Sequence, residues 1–348
     1  MIAIFIFILG AVLLIYSAEK LIGYLVRAAT GLKVSLFLLA IIFTGIEFDD
    51  IFLGVALNLE DLGNVALGTV FGTTVALSGV VLALAAILTP TRVNIPHDYI
   101  ILLAAAPLVM IAFVLTAPFT IVDGVVLVAL FVLFVAYIAV RESRRDIPVF
   151  RNSEVYAGMV EADRGRELED ERPGGDKSFA DEMCFPEARQ HPGWPGLGLA
   201  LLALAGLIIG AATMGFGVQE ILKMYGIEGT LFGATIVTAV LTIEDIFLTV
   251  EAVRKGAPEI GIGNVIGSVV FSVTGKLGII ILAGGTIAVG PDVLSWHLIA
   301  LIVLTGLAAY FLYTGRLQRW HGYTLLVLYV AYWVVSFVAF GGAPIGVG

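Results

Sequence analysis

The stretch DIFLGV at residues 50–55 recurs as DIFLTV at residues 245–250. A second pair of matching stretches follows, GTVFGT at residues 68–73 and GNVIGS at residues 263–268. Both pairs are separated by the same offset of 195 residues, so the spacing between the stretches is the same in the two halves. A match in both residue type and spacing predicts that the chain contains two copies of one structural repeat.

The composition around these stretches is typical of a membrane protein. Of the 348 residues, 59% are hydrophobic and only 14% are charged, whereas soluble proteins have about 25% charged residues. The mean hydropathy is +1.03. A single cysteine, Cys184, excludes a disulfide-rich fold, and the net charge of −9 argues against nucleic-acid binding, which requires a basic surface. The sequence therefore predicts a polytopic protein whose partner is the lipid bilayer.

Ten apolar segments are long enough to cross a bilayer as helices, which takes about 20 residues. The apolar runs are too long, and alternate too little, to be transmembrane strands. The first segment has no basic residue before Lys20, so we interpret it as a retained helix rather than a signal peptide. The predicted fold is an all-α integral membrane protein with ten transmembrane helices at residues 2–26, 34–59, 63–89, 98–116, 120–140, 195–222, 229–253, 259–285, 293–314 and 321–341.

One polar segment, residues 142–193, separates the two halves and holds 13 of the 28 acidic residues. We predict a first repeat at residues 1–141 with helices 1–5, an acidic loop at 142–193, and a second repeat at 194–348 with helices 6–10. Because each repeat has an odd number of helices, the two repeats must be inverted relative to each other. Inverted repeats are typical of secondary transporters, which bind substrate near the bilayer midplane between the repeats.

The basic residues of the short loops predict the orientation in the membrane. One side has Lys223 alone, and the other side has ten basic residues: Arg27, Lys33, Arg92, Arg141, Arg144, Arg145, Arg254, Lys255, Arg316 and Arg319. Cytoplasmic loops are the ones rich in lysine and arginine. We therefore expect a multi-pass protein of the plasma membrane with both termini extracellular and the 142–193 loop cytoplasmic.

Five carboxylates lie inside two of the apolar segments: Glu47, Asp49 and Asp50 in helix 2, and Glu244 and Asp245 in helix 7. Each costs at least about 2.5–3.5 kcal/mol at the centre of a membrane helix on insertion scales, so they need cations, protons or water beside them. Hard cations such as Ca²⁺ and Na⁺ prefer oxygen ligands. Further oxygens lie on helices 3, 7 and 8, at Thr69, Thr73, Thr74, Thr242, Asn264, Ser268 and Ser272. A structural water pocket is the alternative interpretation.

The matching stretches resemble motifs of the Ca²⁺/cation antiporter superfamily, which includes the Na⁺/Ca²⁺ exchangers. Residues 263–268 are similar to the family motif G-N-x-x-G-S-N, and the family motif G-T-S-x-P-E falls by spacing on residues 45–50 and 240–245. The resemblance covers both repeats and most of helices 1–3 and 6–8. It implies that helices 2, 3, 7 and 8 form the core and that helices 1 and 6 rock across it.

The resemblance also implies which residues form the site. The family's ligand glutamates fall on Asp50 and Asp245. The implied cation ligands are Glu47, Asp50, Thr73, Thr242, Asp245, Ser268 and Ser272, and the additional residues that line the site are Asp49, Thr69, Glu244, Asn264 and Lys276. Leu77 replaces a polar ligand of the family. The family's proline is replaced by Asp49 and Glu244, so no proline-induced kink is expected in helix 2 or helix 7.

Lys276 lies inside the apolar run of helix 8, one turn beyond Ser272. One interpretation is a structural ion pair with one of the five carboxylates. The other is a tethered cation that competes with the transported ion or with a proton, since a buried lysine shifts its protonation readily. The sequence leaves both interpretations open.

The resemblance implies a secondary active antiporter, without a cofactor, that exchanges Na⁺ for Ca²⁺ by alternating access at a midplane carboxylate site. The alternative reaction is Na⁺/H⁺ or Ca²⁺/H⁺ exchange by the same carboxylates with the help of Lys276. An enzyme is not expected: the Tyr-Asp and Gly-x-Gly-Asp motifs of intramembrane aspartyl proteases do not occur around Asp50 and Asp245. A non-transporting ion sensor is a further alternative.

Overall fold

A computed structural model of the chain describes residues 2–31, 46–93, 95–142, 194–254, 258–290 and 292–340. Within them, ten helical segments follow the ten predicted spans in order. The segments are α1 (Ile2–Gly31), α2 (Phe48–Leu59), α3 (Gly63–Leu88), α4 (His97–Val114), α5 (Ile121–Glu142), α6 (Trp194–Tyr225), α7 (Gly229–Arg254), α8 (the consecutive runs Pro258–Phe271, Ser272–Lys276 and Leu277–Gly284), α9 (Val293–Tyr313) and α10 (Arg319–Phe340).

The lengths of the helices fit a membrane protein. Eight of the described helices are long and apolar enough to cross a bilayer, and α1 contributes a shorter apolar stretch at Ile2–Ser17. The helices α1 and α6 have 30 and 32 residues, which exceeds the roughly 20 needed for one crossing; tilting is one way in which a long helix fits a bilayer. The predicted all-α fold is confirmed in the described residues, apart from two strands of two residues each.

Predicted helix 2 differs from the structure at its centre. We expected one helix over 34–59, but Ile46 and Glu47 are not helical and α2 begins at Phe48. The backbone of Glu47 is extended, with φ −88° and ψ 96°. The prediction of a continuous helix over 34–59 is therefore wrong at residues 46–47, although no proline is present there. Residues 34–45 lie outside the described residues.

Two contacts between linkers display the relationship of the halves. The strand β1 (Thr91–Arg92), between α3 and α4, pairs antiparallel with β2 (Arg316–Leu317), between α9 and α10. An isolated bridge joins Phe119, between α4 and α5, to Ile287, between α8 and α9. The strand pair joins the third linker of the first half to the fourth linker of the second half, and the bridge joins the fourth linker of the first half to the third linker of the second half. The two contacts therefore lie at opposite ends of α4 and α9. This is the arrangement expected of two inverted five-helix repeats.

The packing of the helices repeats in the same way. The helices α2, α3, α7 and α8 pack together at the centre, α1 packs along α6, α5 lies against α8, and α10 lies against α3. The centre is tight where α3 crosses α7: a Cβ atom at Gly68 would overlap the carbonyl oxygen of Thr230, and one at Gly233 would overlap that of Val65. Glycine lets the two backbones approach closely, and this brings the polar residues of both repeats into one region.

Candidate functional site

The start of α2 places acidic residues near the centre of the molecule. Asp49 and Asp50 lie in the first turn, directly after the extended Glu47, and both are buried. The unpaired N–H groups at a helix start carry partial positive charge, which stabilises carboxylates in the first turn. The helix start after Glu47 thus provides a favourable position for two anions that would be costly in the middle of a continuous helix.

Asp50 forms a buried ion pair with Lys276. The ammonium nitrogen Nζ of Lys276 donates a hydrogen bond to Oδ2 of Asp50, and the exposed fractions of the two side chains are 0% and 3%. Lys276 Nζ also donates to Thr73 Oγ1 at 3.1 Å, while Thr73 Oγ1 donates to Asp50 Oδ2 at 3.2 Å. The three groups form a closed triangle that joins α2, α3 and α8.

Lys276 lies at the end of a stretch of α8 in which the helical geometry changes. Residues Ser272–Lys276 form a π-helical turn inside α8, and residues Leu77–Val81 form one inside α3, again 195 positions apart. Such turns insert one extra residue and redirect the side chains near them, and they occur frequently at functional sites. The turns begin at Leu77 and Ser272, where the family places a polar ligand, and Lys276 has Val81 as its counterpart in the first repeat.

Asp245, the counterpart of Asp50, has different partners. It lies within the continuous helix Thr238–Arg254, so no break accompanies it. Its Oδ1 accepts a hydrogen bond of 3.4 Å from Asn264 Nδ2, and its exposed fraction is 8%. The carboxylates of Asp50 and Asp49 and the ammonium of Lys276 lie within Coulombic range of Asp245. Asp245 is therefore buried among charges with an amide as its hydrogen-bond donor.

The buried oxygens without a hydrogen-bond partner within the described ranges include four at predicted site residues: both carboxylate oxygens of Glu47 and the hydroxyls of Ser268 and Ser272. Glu47 lies within Coulombic range of Asp245, Asp50 and Lys276, and the Ser268 hydroxyl is beside it. A buried polar group without a partner costs about 1–3 kcal/mol, and more when it is charged. These oxygens are therefore suited to a cation, a proton or water between them.

The remaining residues of the predicted site have other roles in the structure. The hydroxyls of Thr69, Thr74 and Thr242 donate to carbonyl oxygens of their own helices. Leu77 is fully buried and contributes no oxygen, whereas Glu244 is half-buried. Within the described part of the chain, no three His, Cys, Asp or Glu side chains form a group that could hold a metal ion. Any cation bound here would use hydroxyl oxygens beside the carboxylates.

Sequence reasoning missed two features of the site. The contact of Lys276 with Thr73 depends on how α3 and α8 cross, which spacing along the chain does not report. The paired π-helical turns were also missed, although the match of Leu77–Val81 with Ser272–Lys276 in position was available from the offset of 195 residues. Two further π-helical turns, Gly233–Val237 in α7 and Val293–His297 in α9, contain no predicted site residue, whereas the matched pair lies at the site.

Comparison with known proteins shows which family the chain belongs to. Residues 2–140 and 195–338 match the model of the family described as sodium/calcium exchanger protein. An uncharacterized membrane protein of Methanocaldococcus jannaschii is 22% identical over 93% of this chain and 94% of its own length. The sodium/calcium exchanger MaX1 of Methanosarcina acetivorans is 31% identical over 39% of each chain.

Solved structures show the same fold. The sodium-calcium exchanger NCX_Mj, soaked with Na⁺ and Sr²⁺, has a TM-score of 0.57 and 20% sequence identity, with 97% of both chains covered. The same exchanger soaked with zero Na⁺ and Ca²⁺ has a TM-score of 0.53 and covers 94% of this chain. From the family match over most of its length, the chain is a multi-pass membrane protein that belongs to the sodium/calcium exchanger protein family.

Proposed function

We propose that this cation antiporter exchanges Na⁺ for Ca²⁺ across the plasma membrane by alternating access. The observation that carries the proposal is Glu47, a buried carboxylate without a hydrogen-bond partner among the described residues, close to Asp245 and Ser268. These are oxygen ligands only, and two of them are anionic, which is the ligand chemistry that Ca²⁺ and Na⁺ prefer. The names of MaX1 and NCX_Mj agree with these two ions.

The two charges of Glu47 and Asp245 fit this exchange. One Ca²⁺ or two Na⁺ would neutralise these two charges, so Ca²⁺ and Na⁺ can bind alternately to the same oxygens. Ser268 and Ser272 would supply neutral oxygens from α8, since their hydroxyls have no other partner in the described ranges. Thr242 retains a free lone pair while it donates to its own helix. Asp50 and Thr73 complete the oxygen set, with the ammonium of Lys276 as their cation.

The inverted repeats support alternating access. Because the two halves have equivalent packings, exchanging their conformations gives inward-open and outward-open states of similar energy. The long helices α1 and α6 pack on each other, and both contact the α2 side of the centre. We propose that this pair moves across α2, α3, α7 and α8, so that the site opens to each side in turn.

Exchange of a cation for H⁺ is the second candidate. It is favoured by the ion pair of Lys276 with Asp50, because a cation that displaces the ammonium from Asp50 would promote release of a proton. In this reaction Glu47, Asp50 or Asp245 would carry the proton on the return step. The same buried groups thus support two reactions that differ in the ion that drives transport.

Ion flux in proteoliposomes tests these reactions. We expect purified protein to accumulate Ca²⁺ when Na⁺ is released from the vesicles, and to do so without a pH gradient. Asp245→Asn should lose the flux, whereas Lys223→Met, on an exposed pair with Glu220, is the matched control and should keep it. Ca²⁺ or Na⁺ movement that follows only a pH gradient would favour cation/H⁺ exchange, and no flux under any gradient would reject transport.

We also propose the predicted division and orientation of the chain: repeats at 1–141 and 194–348, extracellular termini, and a cytoplasmic loop at 142–193. The loop lies outside the described residues, and the proposal rests on the basic residues of the linkers, among them Arg92 and Arg316 on the paired strands. A membrane-impermeant thiol reagent should label Cys184 only after cells are lysed. Strong labelling of intact cells would reverse the orientation.

A further inference from the structure

Lys276 is the only lysine or arginine that is buried among the residues that the structure describes. It has no basic counterpart in the first repeat, where Val81 occupies the matching position. A buried ammonium is costly unless it is paired and hydrogen-bonded. The cost is offset here by the carboxylate of Asp50 and the hydroxyl of Thr73.

The ammonium of Lys276 belongs to the proposed site rather than to a separate structural pair. Lys276 lies within Coulombic range of Glu47, Asp49 and Asp245 as well as Asp50. Asp50 and Thr73 are positions at which the first repeat would supply oxygen ligands to a cation. The ammonium therefore occupies the place, between carboxylate and hydroxyl oxygens, where a monovalent cation would otherwise bind.

We propose that Lys276 is a resident cation of the site, which replaces one transported monovalent cation. This inference rests on the Na⁺/Ca²⁺ exchange proposed above. Its consequence is that the wild-type protein moves one Na⁺ fewer for each Ca²⁺ than the same carboxylates would move without the lysine. The tether explains why the occupancy is permanent. A covalently attached ammonium is present at a high effective concentration, so dissolved Na⁺ competes with it poorly.

A purely structural ion pair has a different consequence. It would stabilise the fold, but its removal would create no new place for Na⁺. The two cases therefore differ in how a variant without the ammonium responds to Na⁺, which is a binding measurement and does not depend on which reaction the protein performs.

The test compares wild type, Lys276→Met and the double variant Asp50→Asn/Lys276→Met, with Lys223→Met as the control for loss of an exposed lysine. Melting temperature is measured in detergent while NaCl replaces choline chloride at constant ionic strength. A ligand that binds the folded state raises the melting temperature with its concentration. We expect Na⁺ to raise the melting temperature of Lys276→Met more than that of wild type, of the control and of the double variant, which lacks the Asp50 charge.

The same proteins in vesicles report the stoichiometry. At zero membrane potential, the Ca²⁺ ratio that a fixed Na⁺ ratio can sustain depends on the number of Na⁺ coupled to each Ca²⁺. If Na⁺ takes the place of the ammonium, one additional Na⁺ is coupled in Lys276→Met. A tenfold Na⁺ gradient should then sustain a Ca²⁺ gradient about tenfold larger than in wild type, by mass action.

Each outcome is decisive. A Lys276→Met protein whose melting temperature responds to Na⁺ as wild type does would overturn the proposal, and so would an unchanged Na⁺ stoichiometry in an active variant. If Lys276→Met is recovered only when it is purified in Na⁺, the proposal is supported, because Na⁺ then replaces the ammonium. Failure to recover it at any Na⁺ concentration counts against the proposal. If wild type performs no Na⁺/Ca²⁺ exchange but Lys276→Met gains Na⁺-dependent stability, the exchange reaction is rejected while the resident cation is retained.

Discussion

Asp50 and Asp245 occupy the same position in the two repeats, but their surroundings differ. Asp50 lies in the first turn of a helix and is bound by an ammonium and a hydroxyl. Asp245 lies in a continuous helix and accepts one hydrogen bond from an amide. The repeat thus determines the positions of the two acids in the chain. One difference between the repeats, Lys276 in the second where the first has Val81, determines that Asp50 is paired with a cation of the protein itself.

The largest difference is expected when each acid is converted to its amide. Asp50→Asn removes the carboxylate that is hydrogen-bonded to the buried ammonium of Lys276, and breaking a buried pair costs about 3–5 kcal/mol in soluble proteins. Asp245→Asn removes an anion from among other anions, so the fold should keep its stability while Ca²⁺ flux is lost. Thermal melting in detergent and vesicle flux measure the two effects.

Asp98→Asn is the control for these two variants. Asp98 pairs with Arg141 at the surface of the protein, and exposed pairs contribute about 0–1 kcal/mol. A small shift for Asp98→Asn beside a large one for Asp50→Asn would confirm that burial and pairing matter. Equal losses of stability in Asp50→Asn and Asp245→Asn would break the distinction between the two acids.

A second variant removes the negative charge of Glu47, which the second repeat lacks at the matching position. Glu47 corresponds to Thr242, and its carboxylate oxygens are buried without a partner in the described ranges. In buffer without metal cations, Glu47→Gln should raise the free energy of unfolding by about 1–3 kcal/mol, because an unsatisfied buried charge is removed. The same variant should lose stabilisation by Ca²⁺. A protein destabilised by this change, yet still stabilised by Ca²⁺, would show that Glu47 has a structural partner and no role in binding.

Close packing between the repeats gives a smaller effect. Gly68→Ala places a methyl group against the backbone of α7 at Thr230, where there is no room. Overpacking costs about 1–3 kcal/mol, and we expect a value near the lower end because one methyl group is added. Gly306→Ala is the control, since nothing lies within 4 Å of a Cβ atom there. A Gly68→Ala protein as stable as Gly306→Ala would contradict the tight crossing of α3 and α7.

Much of the architecture was predictable from the sequence. The apolar segments and the offset of 195 residues report properties that repeat along the chain, so the helices and the inverted halves follow from them. The helix start at Phe48 was not predictable in this way, because no proline interrupts the apolar segment there. The partner of Lys276 was also open. The sequence has five carboxylates in apolar segments that could pair with this long, flexible side chain. The way in which α2, α3 and α8 cross places Asp50 beside it.

The distinction between the two acids is tested most directly by two double-mutant cycles of thermal stability, one for Asp50 with Lys276 and one for Asp245 with Lys276. A cycle isolates the interaction between two residues from the other effects of each substitution. With asparagine and methionine as replacements, we predict a coupling of about 2–3 kcal/mol for the first pair and less than about 1 kcal/mol for the second. Equal couplings, or a larger one for Asp245, would contradict the assignment of the resident cation to Asp50.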